Sequence, residues 1–324
     1  MAESLYPLRL IPIYKRFLWG GRRFETILGR DLGPGEDYAE SWEVADHPAG
    51  QSVVECGPLK GVSLHELVST RGEELLGRHH PRPRFPLLLK YLDARLRLSV
   101  QVHPDDAMAQ QMSLGDPGKT EAWVVVHAEP GSKLYAGLSR PLDREALLRA
   151  LEDGRLEEHL HSVEPRPGDC YLLRAGTIHA LGEGLLVAEI QTPSDVTFRL
   201  HDWGRVGPDG RPRPLHIHQA AQSMRVPQGP VLPQIPQPLG SGRERLVACE
   251  QFVLDRISLH AGTVGGDQRC HVLTVLEGEV TVTGDPAGGP LRRGSSMVVP
   301  AGCGAVAISS QSSEPAVLLD AFLP

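Results

Sequence analysis

The stretch Leu96–His103, LRLSVQVH, closed by Pro104, decides how the chain reads. As a β-strand it alternates without a miss: Leu96, Leu98, Val100 and Val102 point one way, and Arg97, Ser99, Gln101 and His103 the other. The apolar side reads as core. The polar side is either a wet surface or the lining of a site, and the rest of the sequence has to decide between them.

With 324 residues, 40% of them hydrophobic, the chain is long enough for two domains with sizeable cores. Its formal net charge of −7 carries no basic block, so neither nucleic acid nor an anionic membrane is an expected partner, and an anionic ligand needs local cations to recruit it. Only Lys15, Lys60, Lys90, Lys119 and Lys133 are lysines among 33 cationic residues, so a lysine in a site is a departure from the chain's habit. The five cysteines, Cys56, Cys170, Cys249, Cys270 and Cys303, are odd in number and contain no C-x-x-C, which argues against a disulfide framework or a cysteine zinc site. The N-terminal MAESLYPLRL lacks the apolar run of a signal peptide, no segment approaches the roughly 20 apolar residues that span a bilayer, and a cytoplasmic protein is expected.

The 28 prolines and 35 glycines cut the sequence into many short apolar runs, the pattern of an all-β sandwich or barrel rather than a βαβ series. Helical periodicity is confined to Ser63–His79, Asp105–Met112 and Leu142–His161, the last with Asp143 as N-cap and Gly154 as interruption. Between residues 226 and 242, VPQGPVLPQIPQPLGSG reads as a semi-rigid linker. The expected division is therefore 1–240, a first domain with helical additions, and 241–324, a second barrel. A faint repeat aligns GDCYLLRAGTIHAL from Gly168 with GSSMVVPAGCGAVA from Gly294, placing His179 against Ala305. Strand, tight Ala-Gly turn and strand with one inward His resemble the second motif of cupin barrels, and the C-terminal copy keeps only His271 and Glu277 near the place of the first motif. The implied fold is mainly β: two cupin (jelly-roll) barrels with a few packing helices, ligands being kept in the first alone.

A transition-metal site needs lone-pair donors converging from different strands, and residues at i, i+2 supply two from one face. Gln101 and His103 fit, Glu121 shares a face with Lys119, Trp123 and Val125 in KTEAWVVVHA, and His179 follows the Arg-Ala-Gly turn. Two imidazoles, a carboxylate and an amide oxygen suit Zn²⁺ or a similar divalent ion. Taken singly, each is an ordinary polar side chain; agreement of strand phase makes them a set. In Asp195–His201, DVTFRLH, a second alternation places Asp195, Thr197, Arg199 and His201 on one face, where Arg199 could steady an oxyanion or hold a phosphate.

LSVQVHPDD, GKTEAW, the RAGTIH turn and EIQTPSDVTFRLHDWGR, with LWGGRRF at Leu18, ESWEVADHPAG at Glu40 and FPLLLKYLDA at Phe85, resemble the type I mannose-6-phosphate isomerases in their short bacterial form. The resemblance runs in order over nearly the whole chain; the large helical insertion of longer members is absent. It implies a double cupin that interconverts mannose 6-phosphate and fructose 6-phosphate with one Zn²⁺, or another divalent transition metal, per chain. It carries the metal ligands onto Gln101, His103, Glu121 and His179, the active-site arginine onto Arg199, and other active-site polar positions onto Lys119, Glu189 and Asp195. Ser99, Lys90 and Arg205 match substrate-pocket or basic positions. A phosphorylated sugar is the expected partner of a monomer or homodimer.

Moving a proton between C1 and C2 requires a base, an acid for the oxygens and positive charge where the enediolate forms. Lys119, Glu189 and Asp195 are the candidates for proton transfer, and Lys119 stands out because arginine cannot release a proton at working pH. The alternative is a cupin that binds a sugar phosphate without turnover, which has no need of such a group; an iron dioxygenase on the same barrel is a third reading. His216 and His218 in PLHIHQA imitate a ligand pair but lead into a short helix and read as structural, His79 and His80 as helix-end residues, and Asp105 and Asp106 as caps.

Overall fold

The computed structural model describes residues 4–207, 210–310 and 312–324. Among them the chain is mainly β, with five short α-helices, as its turn-rich pattern predicts. The five cysteines are free, and no described helix is long and apolar enough to cross a membrane.

Two compact units form, and their division is not a linear cut at residue 240. One comprises Met1–Lys15, Arg22–Tyr91 and Ile235–Pro324; the other comprises Arg16–Gly21 and Leu92–Gln234. Most of the N-terminal 91 residues thus group with the C-terminal barrel. Non-local pairing is the cause, since the short strand Leu8–Arg9 pairs with Ser296–Val299, a contact that local periodicity cannot reveal. The proline-rich stretch is no loose spacer either. Gln228–Pro230 pairs with Leu134–Leu142, and the amides of Val231 and Gln234 donate to Ala136 O and Cys170 O.

In the Leu92–Gln234 unit one antiparallel sheet runs Leu160–Val163, Leu134–Leu142, His179–Leu181, Val100–Val102, Phe198–His201. A second set of strands runs Cys170–Leu173, Glu121–Ala128, Leu185–Gln191. Val100, Val102, Ile178, Ala180, Phe198 and Leu200 turn the apolar face of the first sheet outward. There they pack against Leu147 and Leu156 after the Asp143 cap and against Ala220 and Met224 around helix Ile217–Ser223. The helices therefore cover the apolar face, and the polar alternation of Leu96–His103 lines the interior.

That stretch is shorter as a strand than its alternation predicts. Only Val100–Val102 joins the ladder, Leu96 is 36% exposed, and the Leu98 amide donates to Leu181 O. Likewise Asp195–His201 is strand only from Phe198. Two helices start at predicted caps, Asp105 accepting from Met108 N at 2.8 Å and Asp143 from Ala146 N at 2.7 Å, whereas Asp106 lies inside its helix; Ser63 Oγ caps a third, accepting from Glu66 N at 3.1 Å.

In the other unit the C-terminal barrel sets a seven-stranded sheet beside a four-stranded one around Ile257, Leu273, Val275, Met297, Ile308 and Leu318. Ala305 and Glu277 are exposed. His271 is buried, with Nδ1 2.8 Å from Asp320 and Nε2 3.1 Å from Asp267. Burial opposes its charge, but Asp320 and Asp267 outweigh it and raise the imidazole above its ordinary value. A raised folded-state value means stabilisation that is complete below the unfolded value of about 6.5 and lost as pH rises through the folded value. The difference in Tm between wild type and His271→Asn should accordingly be larger at pH 6 than at pH 8.5; a pH-independent gap would contradict the pairing.

Candidate metal centre

Strand register brings the predicted residues together. His179 lies directly opposite Gln101, and Gln101 opposite Arg199, so the three form one row across three strands with side chains on one face. On the other strands Glu121 stands between Leu173 and Gln191, and Trp123 between Tyr171 and Glu189. Two glycines permit the approach. Gly118 precedes Lys119 where a Cβ would lie 2.4 Å from the Asp105 and Asp106 backbone, and its amide donates to Asp106 Oδ1 at 2.7 Å. Gly176, at φ +83°, turns the chain towards His179 and donates its amide to His103 O.

His103, Glu121 and His179 are buried, with one potential ligand atom from each lying within 4.8 Å of the others. His103 Nδ1 donates to Val196 O at 2.7 Å and His179 Nδ1 to Thr177 O at 2.9 Å. Each ring therefore keeps a lone pair on Nε2, the arrangement by which outer partners orient histidine ligands. The His179 Nε2 sits 3.2 Å from Glu121 Oε1 and the His103 Nε2 3.7 Å from Glu121 Oε2. Lone pairs face lone pairs in a buried space: among the described residues His103 Nε2 and Glu121 Oε1 make no hydrogen bond, and Glu121 Oε2 has only the Lys119 ammonium at 2.8 Å beside it. A cation resolves that conflict, so the donor set fits a divalent ion. Gln101 completes it: its amide nitrogen lies 3.3 Å from His179 Nε2, and a turn of the amide presents the oxygen instead.

Protonation states agree with this use. Burial, then the Lys119 charge, hold the His103 imidazole neutral, well below its ordinary value. Burial alone would push the Glu121 carboxyl up, but the Lys119 charge outweighs it and holds it well below the usual carboxylate range. A neutral His103 imidazole and an ionised carboxylate suit metal binding.

Lys119 is buried with Nζ 2.8 Å from Glu121 Oε2 and 3.5 Å from Glu189 Oε1. Trp123 Nε1 donates to Glu189 Oε2 at 2.8 Å and sets that carboxylate, while the indole stands edge-on to His179 at 5.3 Å. Arg199, half-buried beside Gln101, donates through Nη1 to Pro214 O at 2.9 Å, and its buried Nε has no partner. Burial, then the nearby Arg213, lower its value, yet an arginine stays charged. Ser99 is buried just before the Gln101 strand.

Two predicted residues lie elsewhere. Asp195 is exposed in a loop, its amide donating to Asp116. Arg205 is bound to Asp202 and to Arg97 O. Lys90 is buried on the strand Leu88–Ala94, 3.5 Å from Glu40 and over the Trp42 ring. His216 braces the Arg199 backbone through both its amide and Nδ1, His218 is exposed, and His79 donates to Pro324 O, so the imitative histidines are structural. Gln191, beside Glu121 and 0% exposed, was not among the predicted residues. Its place two residues after Glu189, on the same strand face, was the available signal.

A barrel with this buried centre defines a cupin built to hold a cation among histidine, glutamate and glutamine side chains. The model of the phosphomannose isomerase type I catalytic domain matches residues 8–123. Mannose-6-phosphate isomerase ManA of Bacillus subtilis is 34% identical over 307 residues, 92% of this chain and 94% of that one. A Streptococcus mutans mannose-6-phosphate isomerase is 38% identical over 226 residues, covering 70% of this chain and 69% of its own. The crystal structure of the Bacillus subtilis mannose 6-phosphate isomerase superposes with a TM-score of 0.88 at 29% identity, covering 98% of this chain and 99% of that one. The chain belongs to the type I phosphomannose isomerase family.

Proposed function

We propose that this chain interconverts mannose 6-phosphate and fructose 6-phosphate by proton transfer between C1 and C2 through an enediolate. The observation that carries the reading is a buried lysine, Lys119, held between Glu121 and Glu189 beside the His103/Glu121/His179 cluster. A protein that only bound a sugar phosphate would have no use for a buried lysine–carboxylate pair at that point, and its desolvation is costly.

Gln101, His103, Glu121 and His179 would hold the metal, for which Zn²⁺ suits the donors; when bound it supplies positive charge for the sugar oxygens and fixes the sugar's position. Lys119 Nζ and the Glu189 carboxylate carry the proton between the carbons and their oxygens, with Trp123 fixing the carboxylate. Arg199 presents a guanidinium on the Gln101 row, suited to an oxyanion or phosphate oxygen, and the Ser99 hydroxyl offers a further hydrogen bond. The exposed Asp195 and the Asp202-bound Arg205 take no step in this scheme. The ligand-bearing barrel is the catalytic one, and the C-terminal barrel, whose His271 is spent on two aspartates, serves packing.

A coupled assay on the purified protein tests the reading: mannose 6-phosphate should yield fructose 6-phosphate, and no turnover would refute it. Arg199→Ala should lower kcat about 10²–10³-fold with metal content unchanged. Undiminished turnover would take that arginine out of the site.

A further inference from the structure

Gln191 presents a buried acceptor that nothing among the described residues uses. Its side chain is fully buried, Nε2 donates to Thr192 O at 2.8 Å and Ser194 O at 2.6 Å, and Oε1 has no partner. Which end of the amide is which is fixed by those two carbonyls. Reversal would set oxygen against oxygen at both contacts, so the acceptor must face away from the turn.

Register says where the side chain emerges. Gln191 is opposite Glu121, and Thr192 N donates to Thr120 O, the bond that flanks a non-hydrogen-bonded antiparallel pair. In such pairs the Cα atoms approach to about 4.5 Å and the side chains are at their closest. Gln191 therefore leaves the sheet on the inward face, adjacent to the carboxylate of the cluster. An uncharged acceptor there adds no second anion beside Glu121. What it lacks is an O–H or N–H donor, and a polyol supplies O–H groups in quantity.

Resting on the isomerase reading, we propose that Gln191 Oε1 is a specificity-determining acceptor for one hydroxyl of the bound sugar. The hydroxyls at C3, C4 and C5 are the candidates, because C1 and C2 react and C6 carries the phosphate. A sugar lacking that hydroxyl would leave the oxygen buried and unpaired, and the site would reject it.

The test compares kcat/KM for mannose 6-phosphate and its 3-, 4- and 5-deoxy analogues, in the metal-loaded wild type, Gln191→Met and Gln191→Glu. Wild type should lose at least about tenfold on one analogue. Gln191→Met should lose a similar factor on the parent sugar, nothing further on that analogue, and no metal. Gln191→Glu, which keeps an acceptor oxygen but gives up the donors to the turn, should still discriminate. The proposal is overturned if Gln191→Met discriminates among the sugars as wild type does, or if both variants lose equally on every sugar. It is also overturned, whether or not Gln191→Met folds, if wild type treats all four sugars alike. A wild type that turns over none of them refutes the isomerase reading itself.

Discussion

Replacing Lys119 with methionine is expected to lower kcat by about 10²–10⁴-fold, the usual worth of a positioned proton-transfer group. The lysine is buried with its ammonium between Glu121 and Glu189, so it cannot be a solvated surface charge. Removing it also leaves two buried carboxylates without their cation, a loss of about 3–5 kcal/mol in stability. Lys119→Arg separates the two effects. It keeps the charge and much of the stem, and should bind metal and melt near wild type, yet it cannot release a proton and should stay inactive. Recovery of most of the turnover in Lys119→Arg would reduce the lysine to a fixed charge and shift proton transfer onto Glu189.

Stripping the metal should have an effect at least as large. Without the metal the Nε2 atoms of His103 and His179 face the Glu121 carboxylate in a buried space with Lys119 as the cation beside it, an arrangement that does not position a sugar by its oxygens. Turnover should fall by roughly the three to four orders of magnitude that the loss of a main electrostatic element costs, and return on adding Zn²⁺. Thermal stability should fall as well, since a ligand bound only by the folded state stabilises it by mass action.

Much of this centre was legible in the sequence because strand parity is a strict rule. Gln101 and His103 share a face by their spacing alone, and so do Lys119, Glu121 and Trp123. Parity does not say how long a strand is. Leu96 satisfies the alternation yet is exposed, since pairing starts only at Val100. Nor does it say which strands meet, which is why the grouping of most of the first 91 residues with the C-terminal barrel, and of Lys90 with Glu40 and Trp42, came only from the fold. Asp195 is like Leu96, exposed and beyond the ladder, where the alternation has no force. Gln191 shares the parity of Glu189, but an amide in a turn-rich stretch carries no chemical signal in the sequence; its unpaired oxygen appears only in the fold.

The most direct measurement of the central claim is metal content and isomerase turnover on the same sample, after exhaustive chelation and during stepwise return of Zn²⁺. The account predicts an inactive metal-free protein whose conversion of mannose 6-phosphate rises in proportion to bound zinc and reaches its plateau at one ion per chain. Turnover that survives complete demetallation would contradict it.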